Sequence, residues 1–258
     1  MITERDKVLL AKKGISEDKL NAQLACFAKG FPYLRLAAAA STEKGILVPS
    51  HEEVDKYLEA WEAYTNDTAH RIVKFVPASG AASRMFKNMF AFVDADYTTP
   101  TTDFEKSFFN NIHEAAFYGD LDSACQRIYG KNIDELLSAN QYKEVVKAML
   151  DKEGLNYGAL PKGLLKFHKY ANGSRTPLEE HLVEGALYAR EKDGTVNIHF
   201  TVSAEHRALF EALVNKVVPA YEKEFGVKYN VSFSEQKPST DTVAANPDNT
   251  PFRTKFED

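Results

Sequence analysis

The sequence predicts an α/β protein built on a mostly parallel sheet, and three stretches carry that expectation. Residues 71–89, RIVKFVPASGAASRMFKNM, pass from a β-branched and aromatic run through small residues into helical spacing. Residues 195–202, TVNIHFTV, alternate as a strand, and 227–233, VKYNVSF, alternate again after a helical stretch over 204–225. Strands that alternate with helices imply a parallel sheet with crossover connections. Ligands of such sheets sit beyond the carboxyl ends of the strands. Here those ends are Ser79 and Gly80, Ser203, and the run Ser234, Glu235, Gln236, so the candidate polar groups share one edge.

The elements follow in order. Residues 1–30 predict two helices, the second opened by Ser16, Glu17 and Asp18, which supply a cap and early acids. Leu20, Leu24, Phe27 and Ala28 give it one apolar face, and Gly30, Phe31 and Pro32 stop it. After an alanine-rich stretch and a turn at Glu43, Lys44 and Gly45, Ser50 and Glu53 form a capping box for a helix through Val54, Leu58 and Trp61. The spacing of Phe104, Phe108, Ile112 and Ala115, then of Val145, Val146 and Met149, predicts a helical tract over 103–150. Within it His113 and Glu114 have no second metal-spaced partner, and Asp94, Ala95 and Asp96 read as a turn. Leu164 to Phe167 predicts a short strand, Asn172 with Gly173 a turn, and Thr176 with Pro177 the start of a helix. Pro219 is expected to kink the 204–225 helix. The last residues, from 237 on, are rich in Pro, Asn, Asp, Ser and Thr, and read as an active-edge loop or a frayed end.

Composition narrows the function classes. The chain has 258 residues, room for one large domain or a domain with a helical annex. A net charge of −5 gives no general attraction for nucleic acid or an anionic membrane. Cys26 and Cys125 lie far apart without metal-like spacing, so a reducing cytoplasm is the simpler expectation. No apolar run reaches transmembrane length, and the charged first residues lack the apolar core of a signal peptide.

Two stretches point to chemistry. In residues 78–83, Ala78, Ser79, Gly80, Ala81, Ala82 and Ser83 carry no bulky side chain between a strand and a helix. Unpaired N–H groups and the macrodipole at such a helix start suit phosphate; Gly80 permits close approach and Arg84 adds a permanent forked cation. Tight packing alone explains the same small residues. The Walker loop is excluded because Arg84 follows Ser83, and the dinucleotide fingerprint because the loop has one glycine. The second stretch is Leu160, Pro161, Lys162, Gly163, where proline fixes a turn around one lysine. Lys162 is either poised to reach an anion or simply solvated.

Taken together, these pieces resemble the sugar-nucleotide pyrophosphorylases, of the nucleotide-diphospho-sugar transferase fold. That family carries a strand, a small-residue loop ending Gly-x-Gly-Thr-Arg, a Pro-Lys or Lys-Pro segment with a following helix, and a later strand leading to Gln and a Gly-Thr-Ala-type loop. Gly80 to Arg84 is similar to the first loop, Pro161 to Leu165 with the helix from Pro177 to the second piece, and Gln236 with Asp241, Thr242, Val243 and Ala244 to the third. The resemblance spans about residues 71–245. The chain is also similar to an uncharacterised bacterial family of longer proteins. The resemblance implies a three-layer, Rossmann-like α/β domain over 67–258 with a helical insertion at 98–157, and a helical annex over 1–66. It implies that Ser79, Gly80, Ala81, Ala82 and Ser83 cradle triphosphate and that Arg84 neutralises the departing pyrophosphate. Lys162 would hold the sugar phosphate and α-phosphate, with Gln236 and Thr242 near base or ribose. The implied reaction transfers a nucleotidyl group from a nucleoside triphosphate to a sugar phosphate with Mg²⁺. Ala82 and Ser83 depart from the family's glycine and threonine. The family's metal-binding aspartate is expected beyond Asp258, so the chain is expected to be an incomplete enzyme. A non-catalytic nucleotide- or sugar-phosphate-binding domain, or a structural one, remains the alternative.

Overall fold

The computed structural model describes residues 2–82 and 84–252. The chain forms two contact units, Met1–Ala60 with Gln236–Asp258, and Trp61–Glu235. Among the described residues no helix is long and apolar enough to cross a membrane.

In the first unit, α1 (Glu4–Lys13) starts on a capping box between Thr3 and Asp6, and ends where Gly14 takes φ 70°, a conformation that glycine adopts freely. Helix α2 (Glu17–Lys29) is capped by Ser16 as its sequence predicts. Leu10, Ile15 and Leu20 form a small core that Leu24 and Val243 join. The C-terminal stretch is stitched onto it, since Gln23 Oε1 accepts from Val243 N at 3.1 Å and Lys19 Nζ donates to Ser239 O. Helix α3 (His51–Asn66) has the expected box of Ser50 and Glu53 but buries none of its residues; Leu58 is 61% exposed.

The second unit contains the sheet. Strands β1 (Val73–Pro77), β4 (Thr195–Val202) and β5 (Lys228–Glu235) run parallel in the order β1-β4-β5. Alternation sorts their side chains. Val76, Val196, Ile198, Phe200, Val202 and Tyr229 face α9 (Pro177–Tyr188) and α10 (Arg207–Phe225), forming one core with Leu178, Leu182, Phe210 and Val214. Helix α9 lies close on β4 because Gly185 has no side chain; a Cβ there would meet Val196 Cγ1 at 2.8 Å. The opposite face presents Val73 and Phe75, the latter 63% exposed, with Phe75 stacked on His199. The structure is thus a mixed α/β fold with a three-stranded parallel sheet flanked by helices. Helix α10 continues through Pro219.

A helical layer occupies the connection from β1 to the sheet's next strand. Helices α4 (Lys87–Asp94), α5 (Asp103–Asn110), α6 (Tyr118–Tyr129), α7 (Ile133–Ser138) and α8 (Tyr142–Leu150) share a core of Phe92, Leu121, Cys125, Leu136, Val146 and Met149. The layer begins earlier than the predicted insertion, because Ala82, Phe86 and Met89 pack into the same core. Burial pushes the Cys125 thiol up to about 11, which leaves it an unreactive core residue. A short ribbon of β2 (His168–Tyr170) and β3 (Gly173–Arg175) turns at Asn172 as predicted. The expected strand at Leu164 to Phe167 is absent; Lys162–Leu164 is a 3₁₀ turn.

Glu105, at the start of α5, is 3% exposed and fully engaged. It accepts from Thr101 N at 2.7 Å, Thr102 N at 3.0 Å and the Tyr97 hydroxyl at 2.9 Å. Burial opposes its charge, but these donors outweigh burial and hold the carboxyl below its ordinary value of 4.5. A carboxylate lowered in the folded state stabilises the fold above the unfolded value, and that contribution is lost as pH falls through the folded one. Glu105→Gln is expected to cost about 1.5–3 kcal/mol at neutral pH. In melting scans the gap to the parent should close as pH drops below 4.5. A gap that stays constant on acidification would contradict this account.

Candidate functional site

The site forms where β1 runs out. Ala78 N donates to Thr201 O at 2.7 Å, so the β1–β4 ladder outlasts the strand. The chain then turns, and Gly80 O accepts from Lys162 N at 3.0 Å while Ala81 bridges Pro161. Pro161 is extended and opens the 3₁₀ turn that carries Lys162. Gly163 lets this turn lie on Phe210, since a Cβ would sit 2.8 Å from Phe210 Cζ.

These contacts enclose a hollow of about 160 Å³ at the carboxyl ends of β1 and β4. Its lining includes Ala78 and Gly80 after β1, Lys162 of the 3₁₀ turn, and Pro177, Leu178 and His181 of the first turns of α9. Phe200 and Phe210 make an apolar floor. Helix α9 opens on a capping box of buried Thr176 and half-buried Glu179. Pro177 and Leu178 of its first turn line the hollow, so its positive end lies beside it. The two acids of that first turn are engaged elsewhere. Glu179 binds Thr176 and the Tyr221 hydroxyl, and Glu180 binds His168, Tyr170 and Arg175. Among the described lining residues none is acidic, while Lys162 and His181 are both present. Such a lining suits a small anion.

The imidazole belongs to a relay that sequence reasoning missed. His181 Nδ1 lies 3.0 Å from Glu184 Oε2, and Lys74 Nζ lies 2.8 Å from the same oxygen. The Lys74 hydrogen bond, ahead of the smaller effect of His181, holds the Glu184 carboxyl below the usual carboxylate range. Burial works against the Lys74 ammonium, but Glu184 and Tyr188 outweigh it and raise it. The available signal was the His-x-x-Glu spacing one turn into a well-capped helix that starts at the ligand-facing edge.

The structure brings Gly80 and Lys162 together at the hollow. Ser79 is half-buried and Ala81 exposed, and neither lines it. Ala82 is 1% exposed and packs in the helical layer, so its backbone is used for packing. Ser83 lies outside the described residues. Arg84 is exposed in a turn, with α4 starting only at Lys87, and does not line the hollow. Gln236 and Thr242 belong to the first unit. There Thr242 lines a separate cavity of about 600 Å³ with Leu10, Ile15, Leu20 and Val243. Among the described residues no group of three or more His, Cys, Asp or Glu is placed to hold a metal ion. The hollow's lining, without a carboxylate, does not fit Mg²⁺. His113 pairs with Asp134 at 2.9 Å on the surface.

A family model described as a domain of unknown function, DUF4301, matches residues 3–258. No curated protein and no solved structure matches the chain.

Proposed function

The chain belongs to the DUF4301 family, an uncharacterised domain family, and from that premise we propose that it binds the phosphate of a phosphate ester in the hollow beside Lys162, as part of nucleotidyl transfer from a nucleoside triphosphate to a sugar phosphate. One observation carries this. Gly80 and Lys162, from distant parts of the chain and joined by a backbone hydrogen bond, line one small hollow beyond the carboxyl ends of two parallel strands. In the proposed transfer an oxygen of the sugar phosphate attacks the α-phosphorus, and the bond to the pyrophosphate leaving group breaks. The described residues would contribute position and charge: Lys162 holds the sugar phosphate, and the first turn of α9 supplies partial positive charge. Arg84 stands outside the hollow and is kept as a candidate for the pyrophosphate. Mg²⁺ would need ligands from beyond the described residues, and no step is assigned to it.

A thermal-shift and calorimetric series tests this with inorganic phosphate, pyrophosphate, sugar 1-phosphates and nucleoside triphosphates. Lys162→Ala is expected to weaken phosphate-ester binding about 10- to 100-fold, the loss of one charge-assisted contact. Lys162→Arg should restore part of it. No stabilisation by any phosphate compound at millimolar concentration, or unchanged binding by Lys162→Ala, would overturn the proposal. A second reading, ligand binding without turnover, is favoured by the lack of a carboxylate set among the described residues. Binding with no product formed from any triphosphate and sugar phosphate pair would select it.

A further inference from the structure

We propose that His181 is a second ligand-contacting residue of the hollow, with Nε2 bonding an oxygen of the same phosphate that Lys162 holds, and with Glu184 and Lys74 as its positioning pair. This rests on the phosphate-binding role proposed above and deepens it.

The ring is fixed from one side. Nδ1 lies 3.0 Å from Glu184 Oε2, and a carboxylate only accepts, so Nδ1 carries a proton and donates it there. Glu184 is held in turn by Lys74 Nζ at 2.8 Å, and Lys74 also donates to the Tyr188 hydroxyl at 2.9 Å. Lys74 leaves β1 on the α9 side, so the relay ties the ring to the sheet. Nε2 has no partner among the described residues, while the side chain lines the hollow. Ordered in this way, the imidazole keeps Nε2 for a ligand: as the imidazolium it donates Nε2–H to a phosphate oxygen, and as the neutral ring it accepts from a protonated phosphate oxygen.

No other histidine with a described partner lines the hollow. His199 uses both nitrogens on Ser232 and Ser234, His206 bonds Ser203, His168 bonds Glu180, and His113 bonds Asp134. Of the groups that line the hollow with it, β4 offers the Phe200 ring at 6.2 Å, α10 offers Phe210, and the 3₁₀ turn offers Lys162. Glu184, which it bonds, is paired with Lys74, and its helix neighbours Glu179 and Glu180 are engaged by Thr176, Tyr221, His168, Tyr170 and Arg175.

Size is compatible with a phosphate. A hollow of about 160 Å³ is on the order of five water volumes. That leaves room for one phosphoryl group. The group suited to it is the terminal phosphate of a monoester, the sugar phosphate of the proposed reaction, with the sugar outside the rim.

The test uses the full chain, with inorganic phosphate and glucose 1-phosphate as probes. His181→Phe keeps a planar ring and removes both nitrogens; it is expected to lower affinity about tenfold, one hydrogen bond to a charged group. His181→Gln should retain part of the affinity, and Glu184→Gln should lose about threefold through a freer ring. In the unmutated chain, the ¹⁵N resonance of His181 Nε2 should move on phosphate addition while that of Nδ1 stays. That readout does not depend on any variant folding. If Lys162→Ala weakens binding but His181→Phe and His181→Gln bind as the parent does and Nε2 does not move, this proposal falls and the phosphate site stands. If the parent binds neither probe, both fall.

Discussion

Gly154→Ala is expected to be the most damaging single methyl in the protein. A Cβ at residue 154 would sit 1.8 Å from Ala148 O, 2.5 Å from Ala148 C and 2.9 Å from Ala148 Cα. All three are backbone atoms of α8, so no side chain can swing aside. The segment is held there by its own hydrogen bonds. Leu155 N, Tyr157 N and Gly158 N donate to the O atoms of Ala148, Met149 and Leu150 at 2.8, 3.0 and 3.1 Å, and so satisfy the last carbonyls of the helix. Relieving the clash means giving up these bonds. We expect a loss of about 4 kcal/mol or more, at the upper end of single-substitution effects, and a drop in melting temperature on the order of 10 °C. Gly119→Ala is the control. It lies in α6 with nothing within 4 Å of the added methyl, and should be neutral or stabilise by up to about 1 kcal/mol. Equal melting temperatures for the two variants would refute the packing account of residues 154–158.

Phe200→Ala should come next, with an expected loss of about 3–5 kcal/mol. Phe200 is fully buried in β4, with Phe233 stacked at 5.9 Å and Phe210 at 6.2 Å between ring centroids. It is also the floor of the hollow, so its removal both opens a cavity in the sheet core and enlarges the anion site. Phe200→Leu, closer in volume, should cost about 1.5 kcal/mol or less. A denaturant titration of the three proteins checks the order. Near-equal midpoints for parent and alanine variant would mean that this ring does not hold the core.

Periodicity made the sheet legible. The alternation in 195–202 and 227–233 placed β4 and β5 and sorted their faces, because one face meets α9 and α10 and the other does not. Thr176 with Pro177 located the start of α9 through cap chemistry that is local by nature. Local chemistry is also where legibility ended. The small residues at 78–83 read as an open cradle, yet Ala82 is drawn into the helical core by Phe86 and Met89, and the helix starts after Arg84. Apolar composition did not mark core in 31–48 either, where Phe31, Tyr33, Leu34 and Leu47 are all at least 78% exposed. Thr242 has the composition of an edge loop, and composition does not tell which unit a loop joins. Of the proposed site, Gly80 and Lys162 were named from sequence. His181 was not, because a histidine on an apolar helix face reads as core until Glu184 is found beside it.

The pairing of Ala81 with Pro161 has a topological consequence. Everything between those residues departs from and returns to the same spot, so the five helices form an excursion hung from a pinched neck. Leu165 and Phe167, just beyond the neck, share its core, so excising it would strip them bare even though the strand pairings lie outside it. Lys162 sits on that neck, held through its own N–H to Gly80 O, so the excursion and the hollow share one anchor.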